Sequence, residues 1–321
     1  MMSLLLLTLL LLQTPAPQAA SFRVAASYVK VPVTVFDEKG RLLDDLGRED
    51  FEVLDDGEPT SIINFVRDLA PINVLLLLDS SGSLKDELEE IKHAALRFAQ
   101  SFTRDDRISI MSFSDETVLL TPWTNRLGKL RKGLNKMKKG YRTAIYDALG
   151  QSIESRLNEV QGRKVIILLT DGLDNESVTP YDQILSRLIE SQVTLYIVSR
   201  TRLVDDKVRD SERVHFLNQV MRNVLQDDSD FVDDYFKKKE TAMVNLAEST
   251  GGRVLFPEVL AELGNTYAQV ARELKHQYLL TFLPPQSSGK KFRSIQVTCS
   301  LPAGRVYSRK QYAWLGLGIE N

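Results

Sequence analysis

Five oxygen-bearing residues in three separate stretches have the types and placement to hold a hard cation: Asp79, Ser81 and Ser83 in "LLLLDSSGS", Thr143 in "GYRTAIYDAL", and Asp171 in "VIILLTDGLDN". Two carboxylates and three hydroxyls, with no sulfur or imidazole among them, suit Mg²⁺, Mn²⁺ or Ca²⁺. Asp79 follows Val74–Leu78, an apolar run without polar alternation, and Asp171 follows a similar run. Such runs read as parallel strands covered on both faces. Ligands of open α/β sheets bind where strands of this kind end. Gly82 permits a tight bend in the first loop, and Gly172 makes the turn in the third. Asp and Ser after a strand also serve as helix N-caps, and that simpler role stays open for Asp79 and Ser83.

Enzymatic readings of the same residues fare poorly. An aspartyl phosphatase nucleophile wants a second acid two residues on, where Ser81 stands. "SSGS" does not supply the G-x-S-x-G of a hydrolase elbow. Gly128-Lys129 lacks the upstream glycine of a phosphate-binding loop, and no histidine is placed to activate a serine. The three histidines, His93, His215 and His276, are far apart and show no metal-ligand spacing. The pattern reads as a binding module and not an enzyme.

The elements that must position these loops follow from periodicity. Residues 71–276 alternate strands (73–78, 107–113, 117–121, 164–170, 193–198, 253–256) with helices (84–101, 127–138, 144–158, 180–190, 240–250, 259–275). This order predicts a mostly parallel, doubly wound α/β sheet. In "RISIMSFSDETVLLT" the turn at Ser114–Glu116 is too short for a crossover, so its two strands are expected to be antiparallel, one at an edge. Before residue 71, "YVKVPVTVFDEKG" and "FEVLDDGEPTSIINFV" read as strands, the second as a pair around an Asp-Gly turn. After His276, "QYLLTFLPP", "KFRSIQVTCSLP" and "GRVYSRKQYAWL" read as three short strands. Each flank is too small to bury a good core alone. Residues 21–70 and 277–321 are therefore expected to form one small β-sandwich, with 71–276 inserted between its halves. The charged stretch 200–240 reads as an insertion, partly helical around 211–226.

The D-x-S-x-S of Asp79, Ser81 and Ser83, the later Thr143 before a helix, and the strand-terminal Thr170-Asp171-Gly172 together resemble the metal-ion-dependent adhesion site of von Willebrand factor A domains. The resemblance covers residues 71–276, and all five positions match in order. "FEVLDDGEP", "GGRVLFP" and "QYLLTFLPP" resemble a group of bacterial exported proteins carrying such a domain. The resemblance implies that Ser81, Ser83 and Thr143 coordinate metal directly while Asp79 and Asp171 act partly through water. It also implies a protein partner that offers an Asp or Glu carboxylate to the metal. One departure is that the usual Gly-Gly before the threonine is Tyr141-Arg142 after Gly140 here. The alternative is a scaffold subunit of an envelope or secreted complex that binds through other surfaces, its metal structural or absent.

Composition sets the bounds. The 321 residues are 43% hydrophobic and carry a formal net charge of -2, which gives no support to nucleic acid or an anionic membrane surface as partner. Cys299 is the single cysteine, so an internal disulfide and a cysteine-based zinc site are excluded. Leu4–Leu12 is apolar apart from Thr8 and is followed by small residues and proline. Such a stretch is too short for a membrane span, which needs about 20 residues. It suits a secretory signal over residues 1–20, cleaved near Ala19 or Ala20, and an exported mature protein with no integral membrane segment. The basic run 129–139 reads as a solvated helix face, and the acidic run 227–234 as a solvated loop.

Overall fold

The computed structural model describes residues 28–67, 71–81, 88–170, 174, 176–200, 231–285, 290–301 and 303–314. The chain begins with β1 (Val29–Asp37), β2 (Leu42–Leu43), β3 (Phe51–Asp55), β4 (Glu58–Thr60) and β5 (Asn64–Arg67). Asp56 and Gly57 both take positive φ, 52° and 88°, the mark of a type I′ turn, and join β3 to β4 as a tight hairpin. The sequence reading allowed two strands between residues 51 and 66. There are three, because Ser61–Ile63 carries the chain out of the hairpin to a different sheet.

The central sheet follows, with β6 (Ile72–Asp79), β7 (Arg107–Phe113), β8 (Thr117–Thr124), β9 (Arg163–Thr170), β10 (Thr194–Ser199) and β11 (Val254–Leu255). Their order is β11-β10-β9-β6-β7-β8, parallel throughout except for the antiparallel pair β7/β8, which puts β8 at the edge as the short turn predicts. Alternation along a strand sends successive side chains to opposite faces. Val74, Leu76 and Leu78 therefore join one core, and Leu75 and Leu77 another. The first core is closed by α1 (Leu88–Gln100), α2 (Leu127–Leu134) and, at the far end of the unit, Leu263–Lys275. The second is closed by α3 (Ile145–Ser155), α4 (Tyr181–Glu190) and α5 (Phe231–Ser249). The helix over Leu263–Lys275 is α6.

Helix α5 starts at Phe231, not at residue 240 as its sequence suggests. The polar "DDYFKKKE" lacks a clear apolar period, but Phe236 is buried and lies edge-on to Tyr235, ring centroids 5.8 Å apart. The expected helical segment around 211–226 lies outside the described residues.

The chain closes with β12 (Tyr278–Phe282), β13 (Phe292–Cys299), β14 (Ala303–Ser308) and β15 (Gln311–Ala313). Strands from the two chain ends interleave. One antiparallel sheet runs β14-β1-β12-β5, with β2 against β1, and the other runs β15-β13-β3-β4. Val31, Val33, Val35, Leu280 and Phe282 of the first sheet share a core with Phe51, Val53, Ile295 and Tyr312 of the second. Arg67 pairs with Tyr278 in register, so the α/β unit leaves and returns to the sandwich at adjacent points. The stretch expected as one strand, "GRVYSRKQYAWL", is two strands in different sheets. The break falls at Arg309, which bridges to Thr250 at the end of α5.

Candidate metal centre

Strand β6 lies between β7 and β9, and the chain leaves it on one side and returns on the other. The carboxyl ends of β6 and β9 therefore flank the switch point of the sheet, the usual ligand crevice of an open α/β fold. Asp79 ends β6 and is fully buried. Its Oδ1 accepts the Ser81 backbone N–H at 2.9 Å, and its Oδ2 accepts the hydroxyl of Thr170, the last residue of β9, also at 2.9 Å. Ser80 turns the other way: its N–H and its hydroxyl both donate to the Phe113 carbonyl, at 2.8 and 3.0 Å. Strand-like alternation thus separates Ser80, engaged with β7, from Ser81, which stays buried beside Asp79.

Thr143 is also buried, and two bonds tie its loop to its neighbours. The Gly140 N–H donates to the Ser80 carbonyl at 2.9 Å, and the Thr143 carbonyl accepts from Glu176 N–H at 3.3 Å. The start of α3 is fixed by side chains that the sequence reading did not single out. Asp174 Oδ1 accepts the Ile145 N–H at 2.9 Å, and Ser177 Oγ accepts from Tyr146 N–H at 3.0 Å. In return, Asp147 accepts the N–H groups of Val178 and Thr179 at 2.9 and 2.8 Å. These bonds satisfy donors a helix start leaves open and lock the Thr143 loop to the loop after β9. The signal was present in the sequence: an acid at the third helical position and an Asp-x-x-Ser after the strand.

The electrostatic setting is cationic close by and polar above. Arg200, which follows β10, is buried, and its N–H donates to the Thr170 carbonyl at 2.9 Å. Burial pushes its guanidinium down to about 10, while the nearby charge of Asp79 acts the other way. Arg142, the departure beside Thr143, points its exposed guanidinium to Glu176 at 3.5 Å and Asp115 at 4.0 Å. Tyr141, two residues before Thr143, and Val178, in the loop after β9, stand 93% and 88% exposed among these charges.

Asp79, Ser81 and Thr143 are thus present as buried oxygen donors at one end of the sheet, while Ser83 and Asp171 lie outside the described residues. The donor chemistry fits a hard divalent cation, which would offset the cost of burying the Asp79 charge. Among the described residues no group of three or more His, Cys, Asp or Glu is placed to hold a metal. The described donors at this end of the sheet are one carboxylate, Asp79, and the hydroxyls of Ser81 and Thr143. His93 and His276 are exposed; His276 lies 3.7 Å from Asp44, far along the chain from the loops of the centre. Among the described residues no helix is long and apolar enough to cross a membrane.

Comparison with known proteins places the α/β unit in a family. The von Willebrand factor type A domain family matches residues 73–232. Over 110 residues the chain is 33% identical to the uncharacterized protein sll0103 of Synechocystis, a match spanning 33% of this chain and 26% of that one. Among solved structures, a von Willebrand factor type A protein of Catenulispora acidiphila aligns at 12% identity with a TM-score of 0.49, covering 82% of this chain and 73% of the other. Proximal thread matrix protein 1 of the mussel byssus, in a form with a zinc-occupied MIDAS motif, aligns at 15% identity and a TM-score of 0.48, over 68% of this chain and 49% of that one. Through residues 73–232, with the α/β fold and strand order described above, the chain belongs to the von Willebrand factor type A domain family.

Proposed function

We propose that this protein is an exported, divalent-cation-dependent protein-binding module of the adhesion type. Domains of its family commonly hold such a cation and act in protein interactions. The observation that carries the reading is Asp79, a fully buried carboxylate at the switch point, set beside the buried Ser81 and Thr143 on loops pinned to one another. Asp79, Ser81, Ser83, Thr143 and Asp171 would hold the cation, Mg²⁺ in the first instance and Mn²⁺ or Ca²⁺ otherwise. When bound, the cation would supply a strong electrostatic anchor for an Asp or Glu carboxylate of the partner protein.

The chain's own residues contribute the rest. Hydrogen bonds from Ser81 and Thr170 hold Asp79 in one orientation, so little rotamer freedom is lost on binding. The exposed Tyr141 and Val178, on the loops of Thr143 and after β9, would give the partner apolar surface near that anchor. No described residue is placed as an activated nucleophile, and the reading assigns no catalysis. Export rests on the apolar run Leu4–Leu12 and the small residues after it.

The test is capture of partners from the native cell envelope. Thr143→Ala and chelation should each abolish capture of the same protein. Tyr141→Ala should weaken it by roughly tenfold or more, as for a hot-spot aromatic, without lowering the melting temperature. A partner held equally well by wild type, chelated protein and Thr143→Ala would favour the scaffold reading instead.

A further inference from the structure

At the opposite end of the central sheet, where β9 and β10 begin, a cavity of about 330 Å³ lies against the sandwich. Its walls carry Lys30 of β1, Arg163 and Lys164 of β9, and Arg309 between β14 and β15, and no Asp or Glu lines it. The nearest acid in sequence to its rim, Glu190, is engaged by Lys291 at 2.7 Å. We propose that this cavity is a binding site for a small phosphate-bearing polyanion.

Arg309 is the main reason. It is 6% exposed, has no carboxylate within ion-pair distance among the described residues, and its buried Nε meets no acceptor. Its Nη2 reaches the carbonyl of Gln192, itself a lining residue, at a long 3.4 Å, which sets the guanidinium at the cavity wall. A buried charge is costly unless it is paired, and an arginine fork matches the oxygens of a phosphate. Burial alone pushes this guanidinium down to about 10, and burial likewise lowers Lys164.

The rest of the lining is mixed, with Ser191, Gln192 and Thr194 beside Pro32, Val165 and Leu279. Arg163 is held by the Leu274 carbonyl at 2.9 Å and by Gln277 Oε1 at 2.5 Å, and Gln277 is held in turn against Thr34 at 2.9 Å. Gly162 (φ 88°) and Gln192 (φ 57°) turn the chain into β9 and β10 at the rim. With the Arg163 guanidinium turned to Leu274 and Gln277, three cationic side chains, Lys30, Lys164 and Arg309, remain around one small cavity and suit a diphosphate group better than a single carboxylate. The eight residues of β9 put the site on the order of 20 Å from Thr170, so it is separate from the metal centre.

Calorimetric titration of the full chain, stripped of metal and held at constant ionic strength with sodium chloride, tests this. Pyrophosphate should bind saturably at one site, more tightly than inorganic phosphate, and Asp79→Ala should leave that binding intact. Lys30→Gln and Lys164→Gln, both at less buried positions than Arg309, should each weaken it by about tenfold, the loss expected of one charge-assisted contact. Arg309→Gln should abolish it, and if that variant does not fold the two lysine variants decide. No saturable heat with pyrophosphate, binding unchanged in both lysine variants, or binding lost in Asp79→Ala would each overturn the proposal.

Discussion

Glu273→Ala should be among the most damaging single substitutions outside the sheet. Glu273, on α6, is 2% exposed and clamps Arg253: its Oε2 accepts from Nε at 3.1 Å, and its Oε1 accepts from Nη2. The same guanidinium lies 5.0 Å from the Phe36 ring and 5.6 Å from the Tyr307 ring, both on the sandwich. Burial works to lower the Arg253 pKa, but the hydrogen bonds and charge of Glu273 outweigh it and hold the group above its ordinary value. Removing Glu273 leaves a largely buried cation, its side chain 18% exposed, between two units, which costs about 3 kcal/mol. With a urea m-value of about 2–3 kcal/mol/M, the unfolding midpoint should fall by roughly 1–1.5 M. The paired replacement Arg253→Met with Glu273→Leu removes both charges and fills similar volume, so most of that loss should be recovered. Urea unfolding followed by circular dichroism reads both. A single variant within about 1 kcal/mol of wild type, the scale of an exposed pair, would show that Arg253 is solvated and that this pair does not brace the junction.

Thr170→Val removes the hydroxyl that Asp79 Oδ2 accepts and should cost about 1–3 kcal/mol, read by the same unfolding assay; a neutral change would mean that Asp79 does not depend on β9. Asp56 is held at about 2 by hydrogen bonds from Ser294, with Lys290 and Arg293 adding charge. Its folded value lies below its unfolded 3.8, so its contribution is full above about pH 4 and is lost as pH falls through 2. Asp56→Asn, which tolerates the same left-handed turn, should flatten the acid limb of the unfolding midpoint between those values. Residues 21–70 expressed alone should be unfolded by circular dichroism, because their strands pair with β12, β13 and β14 from the other chain end, whereas residues 71–276 alone should melt cooperatively.

How much of this the sequence disclosed depended on whether a signal was local. The runs Val74–Leu78 and Val165–Leu169 were readable as central strands because burial on both faces removes polar alternation. The antiparallel edge was readable from one short turn. Asp79, Ser81 and Thr143 could be picked out because their loops directly follow or precede such elements. The split at Arg309 was hidden, since no Gly or Pro marks it; the break is imposed by a contact with Thr250, 59 positions earlier in the chain. The run of α5 ahead of residue 240 was hidden because "DDYFKKKE" shows no clear apolar period. The basic cavity was hidden for the same kind of reason: Lys30, Lys164 and Arg309 are remote in sequence and meet only through the docking of the sandwich on the sheet. Asp174 and Ser177 were within reach, but their role shows only when the loop after β9 is seen beside the start of α3.

The most direct measurement of the central claim is calorimetric titration of the metal-stripped chain with Mg²⁺ and Mn²⁺, alongside Asp79→Ala and Thr143→Ala. The account predicts one saturable site per chain, a melting temperature that rises with metal concentration, and loss of both effects in either variant. Saturable binding that survives both substitutions, or none at millimolar metal in a folded wild type, would contradict it.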